Sequence, residues 1–572
     1  MLVASILVGL LDGLGLAMFL PLLELVADQN ASANTEQMGN LAFILEGLQW
    51  FGLELTLTVV LFTMMVFFIL KGIAKYVESY LQVIYQQFFI RAIRVENIDA
   101  LSEYSYNAFV SADAGKIQNT LSGEVQRVIQ GFKTYNQMLQ QLVLIFTYAV
   151  LAFMANPQFA ALVVVGGMLS NFLFKVLYNK TKSLSRELVG RNHSFQGLLL
   201  QEVAYFKYLK ATGSIRKYAE ELKKKVYDIE ETTKNIGVLN SIMAGVREPL
   251  MIAIVVGVIL IQVKLMGGTL ATIILSLLFF YRGLTAVTQL QTNYNKFLGT
   301  SGSLSNMQDF LAELKKYRRK NGKKVLKTFD RQITLENTSF AYQRFDPIIT
   351  HVSLEIKKNE SVAIVGESGS GKTTLMNILS GLLAPTTGKL YIDQHDSTCL
   401  DMTSFQKRIG YITQEAVIFD DSVFNNVTFW AEKNQDNLAR FWNALQKAHI
   451  DGFVRGLQDQ EDARLGNNGI SLSGGQKQRI SIARELYKDI DLLFMDEATS
   501  ALDSETERNI QQSIDALKGQ YTIIMIAHRL STIKNVDKVV VLNQGQIDFV
   551  GSYQEVLNQS PSFKRMVELQ EV

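Results

Sequence analysis

Five short motifs in the second half of the chain carry residue types that can do chemistry. In chain order they are Gly366–Thr373 with the sequence GESGSGKT, Gln414, Leu472–Gln476 with the sequence LSGGQ, Leu492–Glu497 with the sequence LLFMDE, and His528. A glycine-rich loop that ends in Lys-Thr binds phosphate groups. That loop also occurs in many unrelated nucleotide enzymes and by chance, so the later motifs have to narrow the chemistry.

The chain on either side of the glycine-rich loop has the pattern that such a loop requires. Ser361–Val365 is a short apolar run typical of a buried strand, and Thr374–Leu379 reads as the start of a helix. Between them, glycines let backbone N–H groups and a helix N-terminus approach anionic oxygens. Lys372 then provides a positive charge for the outer phosphates, and Thr373 provides a hydroxyl ligand for Mg²⁺. A plain strand-turn-helix corner is the less favoured alternative.

A second apolar run ends in two carboxylates. Leu492–Met495 predicts a buried strand, and Asp496 and Glu497 follow it directly. Such a pair is often no more than the end of a strand. With a phosphate-binding loop upstream, we expect Asp496 to hold the Mg²⁺ shell and Glu497 to polarise the attacking water.

The ordered motifs resemble those of the ABC transporter family over residues 330–572. In that family the LSGGQ serine and glycines, here Ser473, Gly474 and Gly475, lie at a helix N-terminus and bind the γ-phosphate of ATP held by the other protomer. The resemblance therefore implies a dimer that shares its two ATP sites.

Further positions follow from the same resemblance. Gln414 in Tyr-Ile-Thr-Gln matches the loop that touches magnesium and senses the membrane domain, and His528 in Ala-His-Arg matches the switch histidine. Residues Ser500–Asp503 match the D-loop, and Tyr342 matches the aromatic residue that stacks on adenine. Because every catalytic position has the consensus residue type, we expect both sites of a homodimer to be active.

The complete prediction for the site has three parts, and its cofactors are ATP and Mg²⁺. The nucleotide-binding residues are Tyr342, Gly366, Ser368, Gly369, Ser370, Gly371, Lys372, Thr373, Thr374, Ser473, Gly474, Gly475 and Gln476. The catalytic residues are Lys372, Gln414, Glu497 and His528. The metal ligands are Thr373, Gln414 and Asp496.

The first half of the chain has the composition of a membrane domain. The 572 residues are 48% hydrophobic, which is high for a soluble protein. Several apolar runs are shorter than the roughly 20 residues that a lipid-bathed helix needs, but they continue into amphipathic helical sequence. This pattern favours a bundle of long helices that extend beyond the membrane. The six predicted spans are Leu2–Val26, Leu53–Leu70, Leu142–Ala155, Phe159–Phe174, Pro249–Val263 and Leu270–Tyr281.

The positive residues predict the orientation of this bundle. The segment Ala27–Gly52 contains no Lys or Arg, whereas Lys175–Arg247 contains 14. The positive-inside rule then places both termini and the long connections in the cytoplasm. A secretory signal peptide at the first run is disfavoured, because the run is long and has no basic region before it. The single cysteine, Cys399, excludes an intrachain disulfide and agrees with a reduced compartment.

A change of pattern near residue 320 predicts the domain boundary. Lys315–Lys324 is strongly basic, and short strands alternate with helices after it. We predict a transmembrane domain at 1–315 with six long helices and cytoplasmic coupling helices, a basic linker at 316–330, and a nucleotide-binding domain at 331–572. The fold class is thus a six-span α-helical membrane bundle fused to an α/β ATPase domain. A solvated linker near an anionic leaflet is favoured over nucleic-acid binding, so we expect no nucleic-acid partner.

The membrane half also resembles exporters that carry six spans ahead of the ATPase. Ala114–Ile117 with Gly123–Val125 is similar to the stretch after the first coupling helix of that subclass, and Gln201–Lys217 to the region of the second. The resemblance places coupling contacts near Tyr104–Asp113 and Ala211–Lys217.

Charged residues inside the spans are the best indication of the substrate. Charge is costly in a membrane and tends to face a polar cavity, so Arg282 and Arg247 are candidate substrate contacts. Arg282 resembles a position in bacterial flippases of lipid-linked oligosaccharides; pairing with a carboxylate, or snorkelling, is the equally weighted alternative. The other charged positions are Asp12, Glu24 and Lys71.

The sequence therefore predicts an ATP-driven exporter or flippase in a bacterial inner membrane. We expect a homodimer that works by alternating access, contacts membrane lipids, and moves a lipid, a lipid-linked glycan or another amphiphile. A multidrug or peptide exporter of the same fold is the main alternative, although the chain starts directly with a membrane run and shows no peptidase domain. A nucleotide-gated channel and a soluble ABC ATPase are less favoured.

Overall fold

The structure is a computed structural model that divides the chain into two compact units. It describes residues 2–27, 43–50, 52, 56–155, 157–265, 270–342, 346–466, 469, 471–497, 508, 511–512, 514–527 and 529–568. The first unit comprises Met1–Tyr104 and Ala112–Arg318, and the second comprises Ser105–Ser111 and Arg319–Val572.

The first unit is helical throughout its described part. Its N-terminal helices are α1 (Leu2–Ala17), α2 (Phe19–Ala27), α3 (Phe43–Trp50) and α4 (Leu57–Ser102). The short helix α5 (Tyr106–Val110), which belongs to the second unit, follows α4 in the chain. The remaining helices are α6 (Ala114–Asn119), a π-helical turn at Thr120–Glu124, α7 (Val125–Ala155), α8 (Pro157–Ala204), α9 (Phe206–Ala211), α10 (Ile215–Leu265) and α11 (Leu270–Lys316).

Local sequence explains where the long helices begin. Thr56 caps α4 by accepting a hydrogen bond from the backbone N–H of Val59, and Asp113 caps α6 in the same way through Lys116. Proline occupies the first position of α8, where a missing N–H costs nothing. The 46 residues of α4 contain no proline, which agrees with the predicted long helix.

The described residues of the six predicted spans lie on helices, apart from Met18 in the first span and Thr56, the cap of α4, in the second. The first is divided between α1 and α2 at Met18, and the others lie on α4, α7, α8, α10 and α11. Within the described residues, three helical stretches are long and apolar enough to cross a membrane by length and composition, namely Leu57–Ser102, Ala114–Met154 and Ile215–Ile261. Leu2–Ala17 is a shorter apolar helix.

The helices of the first unit pack through small apolar clusters rather than one continuous core. One cluster joins α1, α4, α7 and α11 and includes Leu16, Val60, Leu151 and Phe279. Another joins α8, α10 and α11 through Phe174, Tyr178, Met243 and Leu298. A member of each cluster contacts a charged residue described below: Tyr148 of the first contacts Asp12, and Phe174 of the second contacts Arg247.

The second unit is an α/β fold with two sheets in its described part. The strands are β1 (Gln332–Phe340), β2 (Ile349–Lys357), β3 (Ser361–Val365), β4 (Thr387–Ile392), β5 (His395–Asp396), β6 (Ile409–Ile412), β7 (Leu492–Asp496), β8 (Thr522–Ile526), β9 (Lys538–Asn543) and β10 (Gln546–Gly551). A four-stranded antiparallel sheet has the order β2-β1-β4-β5. A six-stranded sheet has the order β10-β9-β3-β8-β7-β6, and it is parallel except for β10.

Helices cover the parallel sheet, whose central strands β3 and β8 are buried at every residue. The helices are α12 (Lys372–Leu379), α13 (Met402–Gln406), α14 (Val423–Thr428), α15 (Gln435–Lys447), α16 (Asp451–Arg455), α17 (Gly474–Tyr487), α18 (Leu530–Ile533), α19 (Tyr553–Gln559) and α20 (Pro561–Glu568), with 3₁₀ turns at Ser397–Cys399 and Gln460–Asp462. Because the strands are parallel, their carboxyl ends meet at one edge of the sheet, which is where ligands bind in such folds.

The boundary between the units differs from the predicted linker. The division falls between Arg318 and Arg319, and residues 319–330 belong to the second unit. Phe329 is fully buried in the core of that unit, and the backbone N–H of Leu326 donates to Ser404 Oγ at 2.8 Å. The basic composition masked these two apolar anchors, so only the first few residues of the predicted linker remain outside the second unit.

The short helices also refine the predicted coupling segments. Helix α5 lies inside the predicted segment Tyr104–Asp113 and groups with the second unit. Helix α9 ends at Ala211, so it lies just before the predicted segment Ala211–Lys217. Its aromatic side chains Tyr208 and Phe206, and Tyr205 just before it, are all at least half exposed.

Candidate functional site

The loop between β3 and α12 has a backbone that only glycine adopts easily. Gly366 has φ of +153° and Gly371 has φ of +99°. A Cβ atom on Gly366 would lie 2.1 Å from the carbonyl oxygen of Leu542, so no larger residue fits there. The glycines therefore set the shape of the loop, as the sequence predicted for a phosphate cradle.

Lys372 points back into this loop. Its Nζ donates to the carbonyl oxygens of Gly366 and Glu367, both at 2.9 Å. Burial lowers the pKa of the Lys372 ammonium group, and the charges of Glu497 and Asp496 act in the opposite direction. The lysine is thus a buried cation at the centre of the loop, within electrostatic reach of both predicted carboxylates.

The hydroxyl groups near the loop differ in exposure. Ser368 and Thr373 are exposed, whereas Ser370 and Thr374 are buried. Ser370 Oγ is a buried oxygen without a hydrogen-bond partner in the described part of the chain. Helix α12 begins at Lys372 with no side-chain cap among the described residues, so its first N–H groups are open to an anion. These features fit a phosphate chain in the loop.

The two carboxylates lie at the carboxyl end of β7. Asp496 is the last residue of the strand, and Glu497 follows it in a left-handed conformation with φ of +47°. The side chain of Gln414 donates through Nε2 to Glu497 Oε2 at 2.8 Å. A non-glycine residue in this conformation stores backbone strain, typically about 1–3 kcal/mol, and such strain clusters at active sites. The structure thus brings Gln414, Asp496, Glu497 and Lys372 together.

Two aromatic residues complete this edge of the second unit. Tyr342 is half-buried and packs edge-on against Phe340, with ring centroids 4.9 Å apart. Burial raises the pKa of Tyr106 on α5, and nearby Tyr342 and Asp496 raise it further. The short helix α5 therefore lies beside the predicted nucleotide site.

The LSGGQ motif forms the start of α17. Ser473 is the cap residue, and its Oγ accepts from the backbone N–H of Gln476 at 3.3 Å. Gln476 Oε1 accepts in return from the backbone N–H of Ser473 at 2.9 Å. Ser473 and Gly474 are exposed, and Gly475 is buried. The cap presents an exposed helix N-terminus, as a second phosphate-binding element requires.

Two parts of the predicted site lie outside the described residues. They are His528 and the D-loop Ser500–Asp503. Their predicted roles remain predictions.

Sequence reasoning missed a pair of buried charges on α17. Arg484 donates through Nε to the carbonyl oxygen of Asn426 at 2.5 Å and through Nη1 to that of Val417 at 2.8 Å. Glu485 accepts from the backbone N–H of Tyr411 at 3.2 Å. Val417 and Tyr411 each lie three residues from Gln414, on opposite sides. Helix α17 thus holds both flanks of the Gln414 loop, a function that no spacing in the sequence could indicate.

The charged residues of the first unit converge on Asp12 of α1. Lys71 Nζ lies 2.5 Å from Asp12 Oδ1, and Arg282 Nε lies 3.7 Å from Asp12 Oδ2. The hydroxyl of Tyr148 also donates to Asp12. Asp12 is buried, whereas the side chain of Arg282 is 44% exposed. Arg282 therefore has a carboxylate partner, which was the alternative to a substrate contact. Its distance to Asp12 is longer than the distance from Lys71 to the same carboxylate.

The other charged positions in the spans have different settings. Arg247 is buried on α10 and donates to Thr292 Oγ1 and to the carbonyl oxygen of Thr288. A second buried carboxylate, Glu78 of α4, accepts from Ser5 and pairs with Lys75 at 2.6 Å. The side chain of Glu24 lies outside the described residues.

Comparison with known families matches both parts of the chain. Residues 1–288 match the family described as "ABC transporter transmembrane region", and residues 349–500 match the family described as "ABC transporter".

Individual relatives agree with these matches. The chain is 31% identical to the heterocyst differentiation ATP-binding protein HepA of Nostoc sp., covering 79% of this chain and 74% of the relative. It is 28% identical to the ATP-dependent lipid A-core flippase of Francisella tularensis subsp. tularensis, covering 87% of this chain and 82% of the relative. The fold is similar to that of a bacterial Atm1-family ABC exporter with ATP bound, with a TM-score of 0.81 at 22% identity over 100% of this chain and 98% of that one.

We predict that Arg484→Met destabilises the protein by about 2–4 kcal/mol, because it leaves buried carbonyl oxygens without donors. Thermal unfolding of the full-length protein in detergent should show a fall of several degrees in the transition of the second unit. Arg440→Met is the matched control, because Arg440 also donates to a backbone carbonyl, that of Tyr487 at 3.0 Å, and pairs with Asp489 at 3.3 Å, but both contacts are exposed and contribute little. Equal transition temperatures for the two variants would contradict the conclusion that Arg484 stabilises the Gln414 loop.

Proposed function

Because the chain belongs to the ABC transporter family and has the fold of an exporter-type half-transporter, we propose that two copies form a homodimer that moves an anionic amphiphile across a bacterial plasma membrane. Membership of the family establishes ATP-driven transport and the coupling of ATP hydrolysis to it. The substrate class, the homodimer, the membrane and the role of each residue are the proposed part. The bacterial relatives and the predicted orientation support a cytoplasmic ATPase domain.

The residues of the second unit divide the work of ATP hydrolysis. We assign adenine stacking to Tyr342 and phosphate binding to the backbone of Gly366–Thr374. Lys372, buried inside the loop, would exchange its two carbonyl partners for phosphate oxygens. Glu497 then accepts a hydrogen bond from the attacking water and polarises it, while Gln414 holds the carboxylate in place.

A Mg²⁺ ion fits the donor set at this edge of the sheet. Thr373, Gln414 and Asp496 would hold it, and when bound it would neutralise negative charge on the phosphates. Gln414 donates to Glu497 through Nε2, so the oxygen of the same amide is left for a cation. His528, as the predicted switch residue, belongs to the same catalytic set.

Dimer formation would complete each ATP site. Ser473 makes its hydrogen bonds within its own cap in the described part of the chain, and its exposed helix N-terminus is suited to an anion from outside the protomer. The exposed aromatic residues of α9 provide a surface for contact with a second copy. Both features support a homodimer in which Ser473, Gly474, Gly475 and Gln476 act on ATP held by the partner.

The charge balance around Asp12 carries the proposal for the substrate. Among the described residues, this cluster contains one carboxylate and two cations, Lys71 and Arg282. Lys71, at 2.5 Å, and the hydroxyl of Tyr148 already satisfy Asp12, so the half-exposed guanidinium of Arg282 carries excess positive charge. Inside a membrane span such a group needs an anion or a polar cavity. A guanidinium suits the oxygen pair of a phosphate, which favours a lipid or lipid-linked anionic substrate.

We predict that Glu497→Gln binds ATP with unchanged affinity but hydrolyses it roughly 10²- to 10⁴-fold more slowly, because a positioned base is lost. Glutamine has the shape of glutamate and still offers an oxygen to Gln414. The ATP-bound dimer should accumulate in size-exclusion chromatography. Glu415→Gln changes an exposed neighbouring carboxylate and should leave the rate unchanged. Wild-type turnover in Glu497→Gln would rule out the assigned role.

A mixed dimer tests whether the ATP sites are shared. When Lys372→Ala is in one chain and Ser473→Ala in the other, both lesions fall in one composite site and the second site stays intact. When both substitutions are in the same chain, each site carries one lesion. The first dimer should therefore retain clearly more ATPase activity, measured on dimers purified with two different tags. Equal activities would show that the two residues do not act across an interface.

We predict that Arg282→Ala raises the concentration of dodecyl phosphate needed for half-maximal ATPase stimulation in nanodiscs about 10-fold or more, because a charge-assisted hydrogen bond is lost. Arg282→Lys should recover part of the loss, since it keeps the charge but not the guanidinium fork.

The control for this experiment is the adjacent exposed tyrosine. Tyr281→Phe should respond to dodecyl phosphate as the wild type does. If Arg282→Ala fails to assemble, Arg282 is a structural partner of Asp12 and the substrate proposal loses its main support. If uncharged dodecyl maltoside stimulates the wild type as strongly as dodecyl phosphate, the protein is an exporter of neutral amphiphiles.

A further inference from the structure

We propose that a second, buried site between α8, α10 and α11 binds one oxyanion of the transported molecule through Arg247 and Tyr178. This inference rests on the proposed function, because it assigns part of the head group of an anionic substrate. It concerns a place in the bundle separate from the Asp12 cluster, which joins α1, α4, α7 and α11.

Arg247 is held firmly but is not neutralised. Its side chain is 5% exposed, and Nη1 donates to Thr292 Oγ1 and to the carbonyl oxygen of Thr288 at 3.2 Å. The ring of Phe174 lies 5.7 Å from the guanidinium carbon. Among the described residues no carboxylate forms an ion pair with Arg247. The phenol of Tyr178 lies close enough for its oxygen to interact with the guanidinium, but it carries no compensating charge. The neutral contacts orient the guanidinium without cancelling its charge.

One donor of this guanidinium is unused. Nε of Arg247 is buried and has no hydrogen-bond partner in the described part of the chain. Leaving a charged donor buried and unpaired costs more than leaving a neutral one, so the site is incomplete without a further acceptor. Water can accept a hydrogen bond there, but it does not neutralise the charge. An anionic oxygen does both.

Tyr178 supplies a second unused donor beside the first. It is 6% exposed, and its O–H has no acceptor among the described residues, because its neighbour Arg247 can only donate. Its ring is fixed by an edge-on contact with Tyr294, with centroids 4.9 Å apart, and by Phe174 one turn earlier on α8. A phenolic O–H and a guanidinium N–H that are both held in place and both unused fit a single oxyanion between them.

Two unpaired acceptors lie on α11 close in the chain to Thr292, a hydrogen-bond partner of Arg247. Gln291 Oε1 and Asn295 Oδ1 are buried without partners in the described residues, and both lie on α11 within three residues of Thr292. Carbonyl oxygens of this kind accept hydrogen bonds from hydroxyl groups. The combination of an unsatisfied cation, an unsatisfied phenol and unsatisfied amide oxygens matches an anionic head group that also carries hydroxyls, such as a phosphorylated sugar or glycerol.

The first test is binding of dodecyl phosphate to the full-length dimer in nanodiscs, measured by calorimetry. Arg247→Gln should weaken binding about 10- to 100-fold, and Tyr178→Phe should weaken it about 3- to 10-fold, since the first removes a charged donor and the second a neutral one. Tyr294→Phe is the matched control, because it removes a neighbouring hydroxyl of the same type on α11; its affinity should stay at the wild-type value.

A stability measurement keeps the inference testable if Arg247→Gln does not fold. The O–H of Tyr178 donates to no acceptor in the described structure, and its oxygen interacts only weakly with the guanidinium of Arg247, so Tyr178→Phe should melt close to the wild-type temperature without ligand. Addition of dodecyl phosphate should then raise the melting temperature of the wild type more than that of the variant. Equal shifts for the two proteins would overturn the inference.

Two further comparisons are needed. One distinguishes free phosphate from the head group of an amphiphile, and the other distinguishes failure of this site from failure of the proposed function. Inorganic phosphate also binds the nucleotide loop, so its affinity must be compared between the wild type and Arg247→Gln. If the two affinities for inorganic phosphate differ, phosphate alone is sufficient for binding at this site. If they are equal while dodecyl phosphate still binds the wild type more tightly than the variant, the site recognises the head group of an amphiphile. If Arg247→Gln and Arg247→Lys both bind dodecyl phosphate with wild-type affinity and the protein still exports it, the assignment of this site is wrong and the proposed function stands. If the wild type neither binds nor exports dodecyl phosphate, the proposed substrate class fails first.

The two arginine variants have distinct expectations. Arg247→Lys keeps the positive charge but cannot reproduce both the Thr288 and Thr292 contacts and a free Nε–H, so it should bind dodecyl phosphate with an affinity between the wild type and Arg247→Gln. Full wild-type affinity in Arg247→Lys would show that charge alone is recognised and would overturn the assigned geometry.

Discussion

The buried residues Arg484 and Glu485 connect the LSGGQ helix to the Gln414 loop within one protomer. Helix α17 starts with the exposed Ser473 cap, and its buried pair holds Tyr411 and Val417, on either side of Gln414. Gln414 in turn donates to Glu497. Separating buried charged groups from their partners is costly, so these contacts fix the Gln414 loop against α17. The contacts of the Glu497 carboxylate therefore depend on the helix whose N-terminus is proposed to bind the partner's ATP.

Charge in the first unit follows a different physical rule. Both buried carboxylates have close cations, Lys71 at Asp12 and Lys75 at Glu78. The Lys71–Asp12 pair joins α4 to α1, whereas Lys75 and Glu78 are both on α4 and Ser5 of α1 provides the link between the helices there. Arg282 is the exception at Asp12, since it is both farther away and 44% exposed. A bundle that needed only stability would be served by one cation for that carboxylate. The second cation is explained more simply by an anionic ligand than by packing.

Much of the fold was predictable from sequence because its signals are local. The family and the fold class are confirmed, and the described residues of the six spans lie on helices apart from Met18 and Thr56, since apolar runs and ordered motifs are read directly from residue types. The predicted linker differed, because Phe329 anchors it to a core formed by distant strands. The contacts of Arg484 and Tyr178 were not predictable, since they depend on which helices become neighbours. The roles of His528 and the D-loop remain predictions.

The unsatisfied atoms of the first unit are concentrated around Arg247, on α8, α10 and α11; Asn97 Oδ1 and Glu124 Oε2 are the others among its described residues. Intramembrane carboxylates, hydroxyls and lysines near Asp12 and Glu78 find partners, even though each lies on a different helix from its partner or a turn away. A fold that pairs buried charges at Asp12 and at Glu78 could have placed a carboxylate near Arg247 as well. It instead surrounds that arginine with aromatic rings and neutral oxygens, and leaves Nε of Arg247 and the O–H of Tyr178 without an acceptor among the described residues. A permanent carboxylate there would compete with an anionic ligand, whereas neutral contacts orient the guanidinium and preserve its charge for one.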